Sequence, residues 1–68
     1  MKLSARNKFP GKAIEIKEGT VNAIVKVDAG NGMVITSMIT LDALKDLGIK
    51  VGDEVTAVVK SSSVMLMV

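Results

Sequence analysis

From Gly11 to Gly19 the chain reads GKAIEIKEG, an alternation that sets Ile14 and Ile16 on one face and Glu15 and Lys17 on the other, with the small Ala13 before them. A period of two predicts a half-buried strand. After the turn signal EGT, the run TVNAIVKV resumes the alternation with Val21, Ala23, Val25 and Val27 on one face. Two such runs joined by a short Gly-bearing connection predict an antiparallel hairpin. DAGNG (Asp28 to Gly32) is the densest cluster of turn formers, and the β-branched run MVITSMI after it predicts a third strand returning along the second.

The period then changes. In TLDALKDLG the residues Leu41, Leu44 and Leu47 recur every three positions, Thr40 stands where a helix is capped and Gly48 where one ends. A short helix of about two turns is predicted. IKVGDEV is another tight turn, and EVTAVVKSSSVMLMV reads as two short strands broken at the serines. Strand, strand, strand, helix, strand is the order of a small OB-type Greek-key barrel, so the expected fold is all-β with one short helix, in a single domain spanning 1–68. The run VMLMV is apolar to the last residue. As an uncovered edge strand it would invite aggregation, so it is expected either to close this barrel or to pair with a neighbouring chain.

Composition sharpens that expectation. A chain of 68 residues that is 49% hydrophobic has more apolar surface than one small core absorbs. It has no cysteine and no histidine, so neither disulfides nor a typical structural zinc can staple it. Oligomerisation is the remaining common device. A net charge of +2 without a polycationic run argues against bulk binding to nucleic acid or a membrane surface. The start, MKLSARNKFPGK, carries no apolar signal core and no run approaches a membrane span, so a cytoplasmic protein is expected.

The inventory for chemistry is narrow. Nucleophilic catalysis of the usual kind lacks its His or Cys, and the carboxylates Asp42, Asp46, Asp53 and Glu54 fall on a predicted helix surface and in a turn, so no enzyme is expected. Bases need aromatic platforms, and Phe9 is the one aromatic residue. What remains is a set of donors in two places. SARN offers the Ser4 hydroxyl, the Arg6 fork and the Asn7 amide, and KSSS offers Lys60 with Ser61, Ser62 and Ser63. Hydroxyls, backbone N–H groups and one or two cations are how proteins hold an oxyanion.

A site built almost wholly of donors suits a ligand that is fully deprotonated at neutral pH. Phosphate retains a proton on part of its population and rewards an acceptor in the site. Molybdate, tungstate and sulfate do not need one, so the donor set leans toward those tetrahedral dianions. The plain alternative is that Ser4 caps a turn, Arg6 pairs with a surface carboxylate, Lys60 is solvated and the serines form a loop.

The motifs LSARN, GKAIEIKEGTVNAIV and ITSMITLDALKDLGIKVGDEVTAVVKSSSVML, in that order and at that spacing, resemble the molbindins. These are small proteins made of a single molybdate/tungstate-binding OB domain, and the resemblance covers essentially the whole chain. It implies a barrel that assembles as a hexamer, a trimer of dimers with strands packed or exchanged across subunits, and oxyanions held at the interfaces. Carried over by position, the implied site is Ser4, Arg6, Thr40, Lys60 and Ser61, with backbone amides of Ala5 and Ser62 as further donors. Thr40 would serve both as helix cap and as ligand donor. The segment NKFPGK departs from the pattern, with Phe9-Pro10 expected in a turn. The implied role is storage or buffering of molybdate, with tungstate a close competitor. An oligomeric OB scaffold that binds a protein partner and carries an incidental anion site is the alternative.

Overall fold

In the computed structural model, which describes residues 7–68, the strands are β1 (Asn7–Glu18), β2 (Asn22–Gly30), β3 (Met33–Thr40) and β4 (Glu54–Val59). Helix α1 (Leu41–Leu47) lies between β3 and β4, and Ser61–Ser63 form one 3-10 turn. All pairings are antiparallel and the sheet order is β3-β2-β1-β4, giving a curled half-barrel. The all-β class, the single helix and its place in the chain are as the pattern predicts.

β1 differs from expectation in both length and phase. NKFPGK is not a turn: Phe9 pairs with Ala57 and Pro10 with Thr56, so the strand runs straight through it. β2 joins β1 only from Lys12 onward, which leaves the first half of β1 open along one side. That is the setting in which a strand accepts proline. Where the two pairings overlap the strands crowd, and a Cβ on Gly11 would overlap the Asp28 carbonyl. Only glycine fits there.

A bulge then resets the alternation. Ala13 pairs with Val27 and Glu15 with Lys26, leaving Ile14 unpaired. One extra residue flips the face of everything after it. Ala13 and Ile16 therefore share the core side, whereas Ile14 is 46% exposed. The expected Ile14/Ile16 face does not form.

β2 keeps its phase, with Ala23, Val25 and Val27 buried, while Val21 precedes the strand and is exposed. Asn31 and Gly32, both at positive φ (54° and 78°), make the two-residue turn between the paired Gly30 and Met33. This is the Asn-Gly turn whose twist matches paired strands. The Thr40 hydroxyl accepts from the Ala43 N–H at 3.0 Å and starts α1; the Gly48 N–H bonds back to the Leu44 and Lys45 carbonyls and ends it. Leu44 is buried and Leu41 packs on the core, but Leu47 is exposed. Beyond α1, the Lys50 N–H donates to Asp53 Oδ2 at 2.9 Å, folding the turn that delivers β4.

The core is small: Ala13, Ala23, Val25, Val27 and Leu44, with Ile16, Ile39, Leu41, Ile49 and Val55 against it. The predicted strand after the serines does not form. Met65, Leu66 and Met67 are 92%, 93% and 97% exposed, because the chain leaves the sheet at the 3-10 turn and does not return to it.

Candidate functional site at the meeting of the two donor motifs

Ser4, Ala5 and Arg6 lie outside the described residues. The residue that follows them, Asn7, starts β1 and pairs with Val59, the last residue of β4. Its side-chain amide donates to the Val59 carbonyl at 3.3 Å. Lys60 comes next. The antiparallel register of β1 and β4 thus brings the end of SARN to the start of KSSS, although more than fifty positions separate them in the chain.

Past Val59 the backbone turns sharply. Lys60 is extended (φ −66°, ψ 136°), the Ser63 N–H donates to its carbonyl at 2.8 Å, and the Val64 N–H donates to the Ser61 carbonyl at 3.2 Å. These bonds use carbonyls of the turn. The Lys60 side chain and the Ser61 and Ser62 hydroxyls are all exposed and form no hydrogen bond or ion pair among the described residues.

Three of the seven carboxylates are engaged away from this corner. Glu15 lies between Lys17 (3.9 Å) and Lys26 (3.8 Å), Asp28 accepts from the Gly30 N–H at 2.9 Å, and Asp53 is committed to Lys50. Among the described residues, no three His, Cys, Asp or Glu side chains converge as a cation would require. The corner beside Asn7 therefore carries positive charge and hydroxyl donors with no acidic group bonded to it.

Thr40 stands apart. It ends β3 opposite Asn22, and β2 at that level pairs with the Glu18 end of β1, away from the Asn7 end. Its oxygen accepts from Ala43, which leaves its proton free to donate. The pairing thus brings the start of KSSS to Asn7, the last residue of SARN, and leaves Thr40 at the other end of the strand. Asn7 has a part that the spacing of SARN did not reveal: its amide binds β4. No periodicity marks an amide for a partner so distant in sequence.

Comparison with known proteins places these features in a family. Residues 3–66 match the TOBE domain family. The chain is 48% identical over 66 residues to a probable molybdenum-pterin-binding protein of Haemophilus influenzae, covering 97% of this chain and 96% of that one. Its fold superposes with a TM-score of 0.92 on a molybdate-binding protein from Sporomusa ovata, at 39% identity and 98% coverage of both chains. It also superposes with a TM-score of 0.85 on the cytoplasmic molybdate-binding protein ModG with molybdate bound, at 43% identity over 90% of this chain and 43% of that one. The resemblance read from the motifs is borne out.

Proposed function

The chain belongs to the TOBE domain family, and from that premise we propose that it binds molybdate reversibly and serves as a store or buffer for it. Tungstate, of the same charge and shape, is the close competitor. The observation that carries the reading is the Asn7–Val59 junction, which sets the start of KSSS beside Asn7, the residue that follows Ser4, Ala5 and Arg6 in sequence.

The chemistry is exchange of a hydration shell. A tetrahedral dianion accepts at every oxygen, and hydroxyls, backbone N–H groups and the Lys60 and Arg6 cations replace its water donors without a covalent step. Charge-assisted bonds of this kind are about twice as strong as neutral ones. No proton is transferred and no bond is made or broken within the ligand, so the role is binding and not catalysis. That agrees with relatives named for binding.

Two features of one chain favour a site shared between chains. The Lys60 corner is open, so a second surface is needed to exclude water from the dianion. Thr40 is at the other end of β1, so it joins the cage most simply as a donor from a neighbouring subunit. The assembly we propose is a homohexamer built as a trimer of dimers. The proposed location is the cytoplasm, where the structural neighbour ModG is described.

Titration calorimetry with molybdate, tungstate, sulfate and phosphate tests the reading. Molybdate and tungstate should bind with similar strength, and sulfate and phosphate much more weakly. Absence of molybdate heat, or molybdate no tighter than sulfate, would refute the proposed function.

A further inference from the structure

The turn between β2 and β3 places a side-chain amide next to an unscreened backbone nitrogen. Asn31 and Gly32 are both exposed, and both hold positive φ. The Asn31 amide makes no hydrogen bond among the described residues, and a Cβ built on Gly32 would meet nothing within 4 Å. Carboxamide and nitrogen are therefore both open to solvent.

The turn is also lightly held. The β2–β3 register shifts between Asp28 and Gly30, which skips Ala29, so beyond Asp28–Val34 the hairpin is closed by the single pair Gly30–Met33. Few exposed backbone bonds at a hairpin tip make local opening cheap. Opening matters because the Gly32 nitrogen must swing to the side of the Asn31 side chain before it can reach that carbonyl carbon.

The chain's other two asparagines are guarded, and it has no glutamine. Asn7 is half-buried, donates to the Val59 carbonyl and is followed by the long side chain of Lys8. Asn22 is followed by Ala23, which is fully buried and paired with both Glu18 and Ile39.

We propose that Asn31 is a site of spontaneous modification, at which the Gly32 nitrogen displaces ammonia from the Asn31 side chain and the product unmakes the turn. The Gly32 N–H gives its proton to hydroxide, and the nitrogen bonds to Asn31 Cγ. The Cγ–Nδ2 bond then breaks, and nitrogen leaves as ammonia with a proton from water. The resulting succinimide adds water at either carbonyl. Opening at Cγ leaves aspartate; opening at the Asn31 main-chain carbonyl leaves isoaspartate, with the backbone rerouted through Cβ and Cγ. Nothing is oxidised or reduced. Aspartate tolerates the left-handed position, so the turn survives it. Isoaspartate lengthens the main chain by one methylene, and a two-residue turn has no room for that.

The full chain, warmed in neutral and in mildly alkaline buffer, tests the proposal by intact mass, peptide mapping and labelling with an isoaspartyl methyltransferase. An amide-to-acid mass gain should appear faster in the alkaline sample, map to Asn31 at least tenfold ahead of Asn7 and Asn22, and include isoaspartate. Asn31→Gly leaves a Gly-Gly pair that such turns accept and should abolish the gain. The isoaspartate form, separated by ion exchange, should lose amide protection at Gly30 and Met33 at least tenfold in hydrogen exchange, while the β1–β4 ladder keeps its own. A mass that does not change, a gain that maps elsewhere or a gain that persists in Asn31→Gly overturns the site. Aspartate formed without isoaspartate overturns the attack by Gly32, and an isoaspartate form with unchanged protection overturns the loss of the turn.

Discussion

The Asn7 side-chain amide donates to the Val59 carbonyl at 3.3 Å, tying the residue after Arg6 to the residue before Lys60. This bond lies at the end of the β1–β4 ladder, where pairing would otherwise fray. It holds Asn7, the last residue of SARN, beside the strand end that leads into KSSS, so it bears both on the fold and on the proposed site. Removing it should have a consequence in each.

Asn7→Leu deletes the bond and keeps the bulk. One neutral hydrogen bond contributes about 0.5–1.5 kcal/mol net, so urea unfolding should show a loss in that range. Molybdate binding should weaken severalfold in calorimetry, although Asn7 is not assigned as a ligand. A stability loss with unchanged molybdate affinity would show that the two motifs need no clamp.

Lys60→Met separates charge from shape. Lys60 is exposed and has no ion-pair partner among the described residues, so the fold should not depend on it. A bond between a charged group and the ligand contributes about 1.5–3 kcal/mol, which is about a ten- to hundredfold loss of molybdate affinity. The thermal midpoint without ligand should stay where it was. Lys17→Met removes another exposed cation, at the Glu15 pair, and should leave affinity unchanged, so equal losses in both variants would reduce Lys60 to a contribution to net charge.

The legible parts of this structure are those in which neighbours in sequence are neighbours in space. The helix from Leu41 to Leu47 was readable because its cap, Thr40, and its stop, Gly48, lie within one turn of it. The β2 phase was readable because Ala23, Val25 and Val27 all face one core. The β1 phase was not, since a bulge is decided by the partner strand: Ile14 is skipped by Val27 and Lys26, and nothing in GKAIEIKEG records that. Phe9-Pro10 reads as a turn because proline usually marks one, and becomes strand because β4 pairs there while β2 does not. For the site, SARN and KSSS were recognisable as donor sets, but their meeting depends on β1–β4 register. The run VMLMV was read correctly as apolar; within one chain it closes no barrel, since Met65, Leu66 and Met67 stay exposed.

Thr40 carries two proposed duties that substitution can divide. Thr40→Ala removes the oxygen that accepts from Ala43 and should cost about 0.5–2 kcal/mol, as lost N-caps do. Thr40→Ser retains both the cap and a donor. If Thr40 reaches the oxyanion from a neighbouring subunit, Ala should also lower molybdate affinity while Ser restores it. Thr40→Asp is the discriminating third variant, because it caps well but opposes an anion. Stability near that of the parent with molybdate binding abolished is the expected result for Asp; retained binding would leave Thr40 a cap alone.

The bulge in β1 makes the last prediction the sharpest contrast between pattern and structure. By alternation Ile14 and Ile16 are equivalent, and a charge at either would open the core. By register Ile14 is the skipped residue, 46% exposed, whereas Ile16 packs against the core cluster. Ile14→Lys should change unfolding free energy by no more than about 0.5 kcal/mol, the range of ordinary surface substitutions. Ile16→Ala, at a half-buried position, should cost about 1–3 kcal/mol, below the range for fully buried isoleucines. Urea unfolding at low protein concentration keeps any contribution of Ile14 to chain association out of the comparison. If Ile14→Lys is the more damaging of the two, β1 has no bulge and the alternation runs unbroken into the core.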